Sequence, residues 1–302
     1  MSDPIETAGL TRRFGRVAAV NQLDLRVPAR SIFGLVGPNG AGKTTLIKVL
    51  MNLLKPTSGV ATVLGKDSRR LSASDFQRIG YISENQRLPL WMTPAELLAF
   101  CRPLYPAWSD ARARTLMDDL NLPDSAPLRS LSRGTRMKAA LLSSLAYQPR
   151  LIVLDEPFSG LDPLVRDELT RALLGLVAES SATVLISSHD IEELERLIDW
   201  IGFIDGGRLL FAEPVSTLLN RFRQVEVIAR EGAPPIVSGE GWMNHAVAGR
   251  TLRFVDARHD APGANDRLAT AWPGAEVRVS PMALREIFVA QASHVRSQAK
   301  PS

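Results

Sequence analysis

The sequence predicts an α/β fold with a small α+β domain behind it. The first sign is a glycine-rich stretch, GPNGAGKTT. It stands between an apolar run (Ile32, Phe33, Leu35, Val36) and apolar residues at helical spacing (Leu46, Ile47, Leu50, Leu53, Leu54). The second is a pair of β-branched runs, residues 151–154 and 183–186, each followed by charged or titratable residues. Such runs suit strands buried on both faces of a parallel sheet. The third is a change of pattern after about Val215, where Pro and Gly interrupt helical spacing and short strand-like runs take over.

The glycine-rich stretch comes first. Gly37, Pro38, Asn39, Gly40, Ala41, Gly42, Lys43 and Thr44 match G-x-x-x-x-G-K-[ST] with strand before and helix after, and Thr45 follows. Glycines let the backbone wrap closely, so that successive N–H groups point at phosphate oxygens. The helix N-terminus adds a dipole that favours anions. Lys43 is expected to reach the β- and γ-phosphates of a nucleotide, and Thr44 to ligate Mg²⁺.

The run Leu151, Ile152, Val153, Leu154 ends in Asp155 and Glu156. Chemistry in α/β sheets gathers at the carboxyl ends of strands. Asp155 is expected to face the metal, and Glu156 to polarise the attacking water. The run 183–186 leads to His189, placed to hold phosphate and water, and Asp190 with Glu193 reads as a capping box opening a helix. Ser132 and Gly134 precede a helix expected over residues 136–146. A hydroxyl, a glycine N–H and a helix N-terminus together can bind a γ-phosphate. Since the first loop already has its cradle, this donor set is spare unless it serves a second molecule.

Together these motifs resemble the nucleotide-binding subunits of ATP-binding cassette (ABC) transporters, over about residues 5 to 215. The likeness implies a P-loop NTPase fold: a RecA-like core, an antiparallel β subdomain and a helical subdomain carrying the signature motif. The signature matches Leu131, Ser132, Arg133, Gly134, Thr135, with Arg133 and Thr135 departing from the usual Gly and Gln. The D-loop matches residues 159–163 and includes Asp162, and the switch histidine matches His189. Phe14 aligns with the aromatic that stacks on adenine, and Glu84 stands where many relatives have the Q-loop Gln, as a further metal and nucleotide contact. Glu84 and the stretch MTPAELLAFCRPLYPAW are similar to ABC-2 type exporters of the YtrB-like branch.

The resemblance further implies that ATP and Mg²⁺ are the cofactors. It implies a dimer of ATPase subunits, of one chain or two, in which each ATP lies between one subunit's phosphate loop and the other's signature. It also implies an ABC-2 type integral membrane permease as partner, docked near Leu88, Pro89, Leu90, Trp91 and Met92, and a peripheral position on the cytoplasmic face of the cell membrane. The ATPase domain is expected over residues 1–215, and a small accessory domain, outside the resemblance, over 216–302. There, strands are expected at 224–228, 251–255 and 275–279, and a helix at 281–292.

Bulk properties fit without deciding the function. A length of 302 residues with 45% hydrophobic and 23% charged composition suits one large and one small domain. The sequence contains no apolar run near the roughly 18 residues a membrane helix needs, and MSDPIETAGL is not expected to act as a secretory signal. Cys101 is the only cysteine, so no internal disulfide is possible, and it is expected to be a buried apolar residue. The net charge of +4 does not choose among ATP, a membrane face and nucleic acid. The alternative reading is a soluble ABC-type ATPase acting on nucleic acid or ribosomes. Such proteins usually carry two cassettes, coiled-coil insertions or zinc-binding cysteines, none of which the sequence contains, and nucleic acid is not an expected partner.

Overall fold

The computed structural model describes residues 3–299, and the chain divides into two compact units, residues 1–212 and 213–302. The first unit opens with the hairpin β1 (Ile5–Phe14) and β2 (Val17–Val27) and the central strand β3 (Ile32–Val36). Next come α1 (Lys43–Leu50), β4 (Ser58–Val63), β5 (Lys66–Asp67), α2 (Ala73–Phe76) and β6 (Ile79–Ile82). A helical segment of α3 (Pro94–Cys101), α4 (Asp110–Asp119) and α5 (Arg133–Leu145) follows. The unit closes through β7 (Leu151–Asp155), α6 (Pro163–Glu179), β8 (Thr183–Ser188), β9 (Trp200–Asp205) and β10 (Arg208–Pro214). The units divide inside β10, whereas the expected boundary at 215/216 falls just after it.

Two sheets carry this unit. The six-stranded sheet has the order β10-β9-β3-β8-β7-β6, and the four-stranded sheet β2-β1-β4-β5. Pairing is parallel from β6 through β7, β8 and β3 to β9, and antiparallel among β1, β2, β4 and β5. Every residue of β3, β7 and β8 is buried, as their β-branched composition requires of central strands. Helix α1 shares one core with both sheets: its Leu46, Ile47, Val49 and Leu50 pack with Ile5, Leu10 and Leu23 of one sheet and Phe33, Leu35, Val153 and Leu185 of the other.

That helix is shorter than its spacing predicts. It ends at Leu50, Asn52 takes a positive φ of 56°, and Leu53 is 59% exposed. Conversely, α5 begins three residues early, at Arg133, because Ser132 caps it and accepts the N–H of Thr135 at 3.1 Å. Helix α3 shows a full capping box: Thr93 accepts the N–H of Glu96 at 3.2 Å, and Glu96 accepts that of Thr93 at 2.8 Å. Cys101, at its end, is half-buried rather than buried, and burial pushes its thiol pKa up.

The second unit contains α7 (Val215–Arg221), β11 (Arg223–Ile228), β12 (Trp242–Ala248), β13 (Thr251–Asp256), α8 (Ala264–Ala271), β14 (Glu276–Pro281) and α9 (Leu284–Ala299). Its antiparallel sheet has the order β12-β13-β11-β14. The expected helix start at Pro281 is corrected: that proline ends β14, and α9 begins at Leu284. Strand β12 and helix α8 were not expected from the sequence. Val225, Val227, Leu252, Phe254, Leu268 and Trp272 form the core. Phe254 is its hub, with ring centroids 5.1 Å from Trp242 and 5.3 Å from Trp272. Phe254→Ala should destabilise this unit by about 3–5 kcal/mol, the usual cost of emptying a buried aromatic site. Urea unfolding followed by tryptophan fluorescence measures it, and an unchanged midpoint would refute the hub role.

Candidate functional site

The phosphate loop forms the turn from β3 into α1. Its glycines are needed for close approach. A Cβ on Gly37 would stand 2.1 Å from the carbonyl oxygen of Ile204. Gly42, at φ 108°, would place one 2.2 Å from that of Ala19. Neither position admits a side chain, so the backbone itself lines the cradle.

Lys43, the first residue of α1, is buried. Its Nζ donates to the carbonyl oxygens of Gly37 at 2.7 Å and Pro38 at 3.2 Å, and pairs with Oε1 of Glu156 at 3.2 Å. The other carboxylate oxygen of Glu156 lies 2.8 Å from Nδ1 of His189. Lys43, Glu156 and His189 thus form one continuous polar chain. Glu156 sits just past the end of β7 with a φ of 52°, a conformation costing a non-glycine residue roughly 1–2 kcal/mol. Its N–H donates to Oγ of Ser187 at 3.0 Å, which holds that backbone in place.

Ser187 also donates to Oδ1 of Asp155 at 2.8 Å, and Thr44 donates to the same oxygen at 3.1 Å. Burial pushes the Asp155 carboxyl pKa up. The two hydroxyl bonds pull it down, and the charges of Glu156 and Glu84 raise it again. A buried carboxylate beside a hydroxyl and two further acids is a hard oxygen donor set short of positive charge, which fits Mg²⁺. Among the described residues no group of three or more His, Cys, Asp or Glu forms a metal cage.

A cavity of about 380 Å³ is lined by Ala19, Asn39 to Thr45, Glu84, Glu156, Ser159 and His189. It brings together the phosphate loop, Glu84, Glu156 and His189, with Asp155 attached through Thr44. Glu84, rather than Gln86, faces this cavity; the Gln86 amide oxygen turns back to accept from Ser83 Oγ at 3.2 Å.

Other expected residues stand outside that wall. Phe14 is 47% exposed at the end of β1, with the Arg12 guanidinium 4.6 Å from its ring centroid. Asp162 caps α6, accepting from the N–H of Val165 at 3.1 Å. Ser132 is exposed at the head of α5, and Gly134 packs against Val165. The expected capping box at Asp190 and Glu193 is corrected. Asp190 accepts from Glu192 at 3.0 Å and opens only a single 3₁₀ turn, while the Glu193 carboxylate turns inward to Ser188. Leu88 and Leu90 line a separate groove of about 500 Å³ with Glu84, Arg136 and Met137. Trp91 is 72% exposed beside it, which is not the burial of a core residue. The sequence reading missed Ser187, because a serine ending an apolar run looks like any strand terminus.

A lysine-bearing phosphate loop, a buried carboxylate on its threonine, and a glutamate–histidine pair at the ends of parallel strands define a P-loop ATPase. A family profile described as ABC transporter matches residues 20–159. The chain is 32% identical over 226 residues to the bacitracin transport ATP-binding protein BcrA of Bacillus licheniformis, covering 74% of each. It is 31% identical to the daunorubicin/doxorubicin resistance ATP-binding protein DrrA of Streptomyces peucetius, covering 96% of this chain and 92% of that one. A solved ATP-binding subunit of an ABC transporter superposes with a TM-score of 0.65 at 25% identity, covering 72% of this chain and 92% of that one. The chain belongs to the ATP-binding subunits of ABC transporters, and it binds and hydrolyses ATP. The match to DrrA also corrects the expectation that the likeness stops near residue 215.

Ser187→Ala should cost about 1–3 kcal/mol, the usual penalty for leaving a buried polar group unpaired, and should slow turnover by freeing the Glu156 backbone. Thermal unfolding and steady-state ATPase assays check both, and wild-type values in each would remove Ser187 from the site.

Proposed function

We propose that this chain powers export through a separate permease of the ABC-2 type, as the peripheral subunit on the cytoplasmic membrane face. The chain from Lys43 through Glu156 to His189, in one cavity with the Thr44–Asp155 pair, supports the ATP-hydrolysing half of the reading, and the likeness to transport subunits supports the export half. BcrA and DrrA are named for bacitracin transport and for daunorubicin/doxorubicin resistance. Among the described residues no helix is long and apolar enough to cross a membrane.

In this reading backbone N–H groups between Asn39 and Thr45 and the Lys43 ammonium hold the phosphates. Thr44, Asp155 and Glu84 hold Mg²⁺, which supplies neutralising charge to the transferred phosphoryl group. Glu156 takes a proton from the attacking water, and His189 fixes Glu156 while reaching for the γ-phosphate. Arg12 covers one face of the Phe14 ring, leaving adenine the other. Ser132 and Gly134, outside the ATP cavity, serve the nucleotide of a second ATPase subunit, either a copy of this chain or a paralogue, with Asp162 at the joint. The groove beside Leu88, Leu90 and Trp91 receives a cytoplasmic segment of the permease.

Glu156→Gln should bind ATP normally, hydrolyse it at least about 100-fold more slowly, and accumulate as an ATP-bound dimer on size-exclusion chromatography. Wild-type turnover would defeat the general-base assignment. Tagged protein drawn from solubilised membranes should bring down a polytopic membrane protein in near-equal amount, and Trp91→Ala should weaken that recovery while soluble ATPase activity stays. A pool bound to ribosomes or nucleic acid, with no such partner, would overturn the export reading.

A further inference from the structure

Ser187 and Ser188 end β8, and both are buried. Successive strand residues point to opposite faces, so the two hydroxyls serve different neighbours. Ser187 bridges Asp155 and Glu156. Ser188 donates from Oγ to Oε2 of Glu193 at 2.6 Å and accepts the N–H of Asp190 at 3.0 Å. Its carbonyl oxygen accepts the N–H of Gly37, the first glycine of the phosphate loop, at 3.3 Å. His189 is the next residue.

The Glu193 side chain is only 5% exposed, and its Oε1 pairs with Nη2 of Arg166 at 3.2 Å. Arg166 lies in the first turn and a half of α6, and its own N–H donates to the carbonyl oxygen of Asp162 at 3.1 Å. Arg166, Glu193 and Ser188 therefore form a polar chain from the D-loop end of α6 to the peptide that carries His189, and on to the phosphate loop. None of the three lines the ATP cavity. Burying a carboxylate is costly unless it is paired and hydrogen-bonded. This one is held by a partner on each oxygen, one from each neighbouring element, so its position is fixed by both.

We propose that the pair of buried Glu193 and half-buried Arg166 is a positioning device. It sets the Ser188–His189 peptide against the phosphate loop and links it to the D-loop, so that turnover depends on two residues that touch no nucleotide. The proposal rests on the assignment of His189 to the hydrolytic site. Glu193→Gln keeps the shape and the Ser188 bond but removes the charge facing Arg166. Misplacing His189 by a fraction of an ångström slows the chemical step and leaves the phosphate cradle intact.

The test is steady-state ATPase kinetics and nucleotide affinity on the full chain, with melting temperature alongside. Glu193→Gln and Arg166→Met are each expected to lower kcat about 10-fold, with KM and ATP affinity within about twofold of wild type. Arg166→Lys, which restores the charge, should recover most of the rate. Combined with His189→Ala, neither substitution should slow turnover further, since both act through that histidine. Wild-type kcat in the variants, or losses that add to that of His189→Ala, would overturn the proposal. A joint fall of kcat, ATP affinity and melting temperature that Arg166→Lys does not rescue would overturn it too, leaving a purely structural pair. His189→Ala alone separates the two readings: full turnover in that variant refutes the His189 assignment and this proposal with it, whereas slow turnover there with unaltered Glu193 and Arg166 variants refutes this proposal alone.

Discussion

The buried charge of Lys43 is the constraint on which the site depends. An ammonium 5% exposed must be matched by oxygens, since an unpaired buried ion costs several kcal/mol. Gly37, Pro38 and Glu156 supply those oxygens, and together they fix the loop against the end of β7. Parallel register makes this possible. Val36 pairs with Ser188, and Asp155 with Ser187, so β3, β7 and β8 end level with one another. Loop, carboxylates and histidine converge because strands of matched length stop in the same plane. Phosphate oxygens entering the cradle compete with Glu156 for the same ammonium. In the proposed mechanism, a glutamate relieved of Lys43 keeps its contact to His189 and is free to act as the base.

The parts of the site that were legible in the sequence are those where one residue type is mandatory. Gly37 and Gly42 are legible because no other residue fits against the carbonyls of Ile204 and Ala19. Asp155 and Glu156 are legible because acids directly after a fully buried strand have few roles. The illegible parts are those where one residue type has many uses. Ser187 and Ser188 hold the site from two faces of β8, yet serines at strand ends are commonplace. Glu193 reads as a helix-capping acid by spacing alone, but Ser188 and Arg166 draw it inward, and tertiary pairing overrides the local signal.

The same distinction explains the fold. The α/β core was legible because β3, β7 and β8 are buried on both faces and show it in their composition. Strand β12 was not, because its residues mix Asn244 and His245 with apolar ones and its outer half is exposed. It is held by pairing with β13 and by Trp242 against Phe254, not by a pattern of its own. Helix α8 is short and starts after Gly263 in a left-handed turn, so two turns of spacing were too few to reveal it.

Charge balance in the ATP cavity bears on how the nucleotide enters. Glu84 and Glu156 line it with Lys43, and Asp155 adjoins through Thr44, giving three carboxylates against one ammonium. Were Gln86 turned inward instead of Glu84, there would be one acid fewer; its amide is committed to Ser83. The upward push on Asp155 expresses this crowding. For a carboxyl the sign is clear: the ionised form is disfavoured in the fold, so the penalty is fully present above the raised pKa and fades as pH falls toward the ordinary carboxylate range. A bare triphosphate would add negative charge to an already acidic wall, and the cradle's N–H dipoles would have to offset both. Where Thr44, Asp155 and Glu84 hold the metal as proposed, a triphosphate carrying a divalent cation would bring the missing charge to their oxygens. On the proposed reading, that acidic wall would favour the metal–nucleotide pair over the bare nucleotide, and Glu84 would add to the preference where an amide would not.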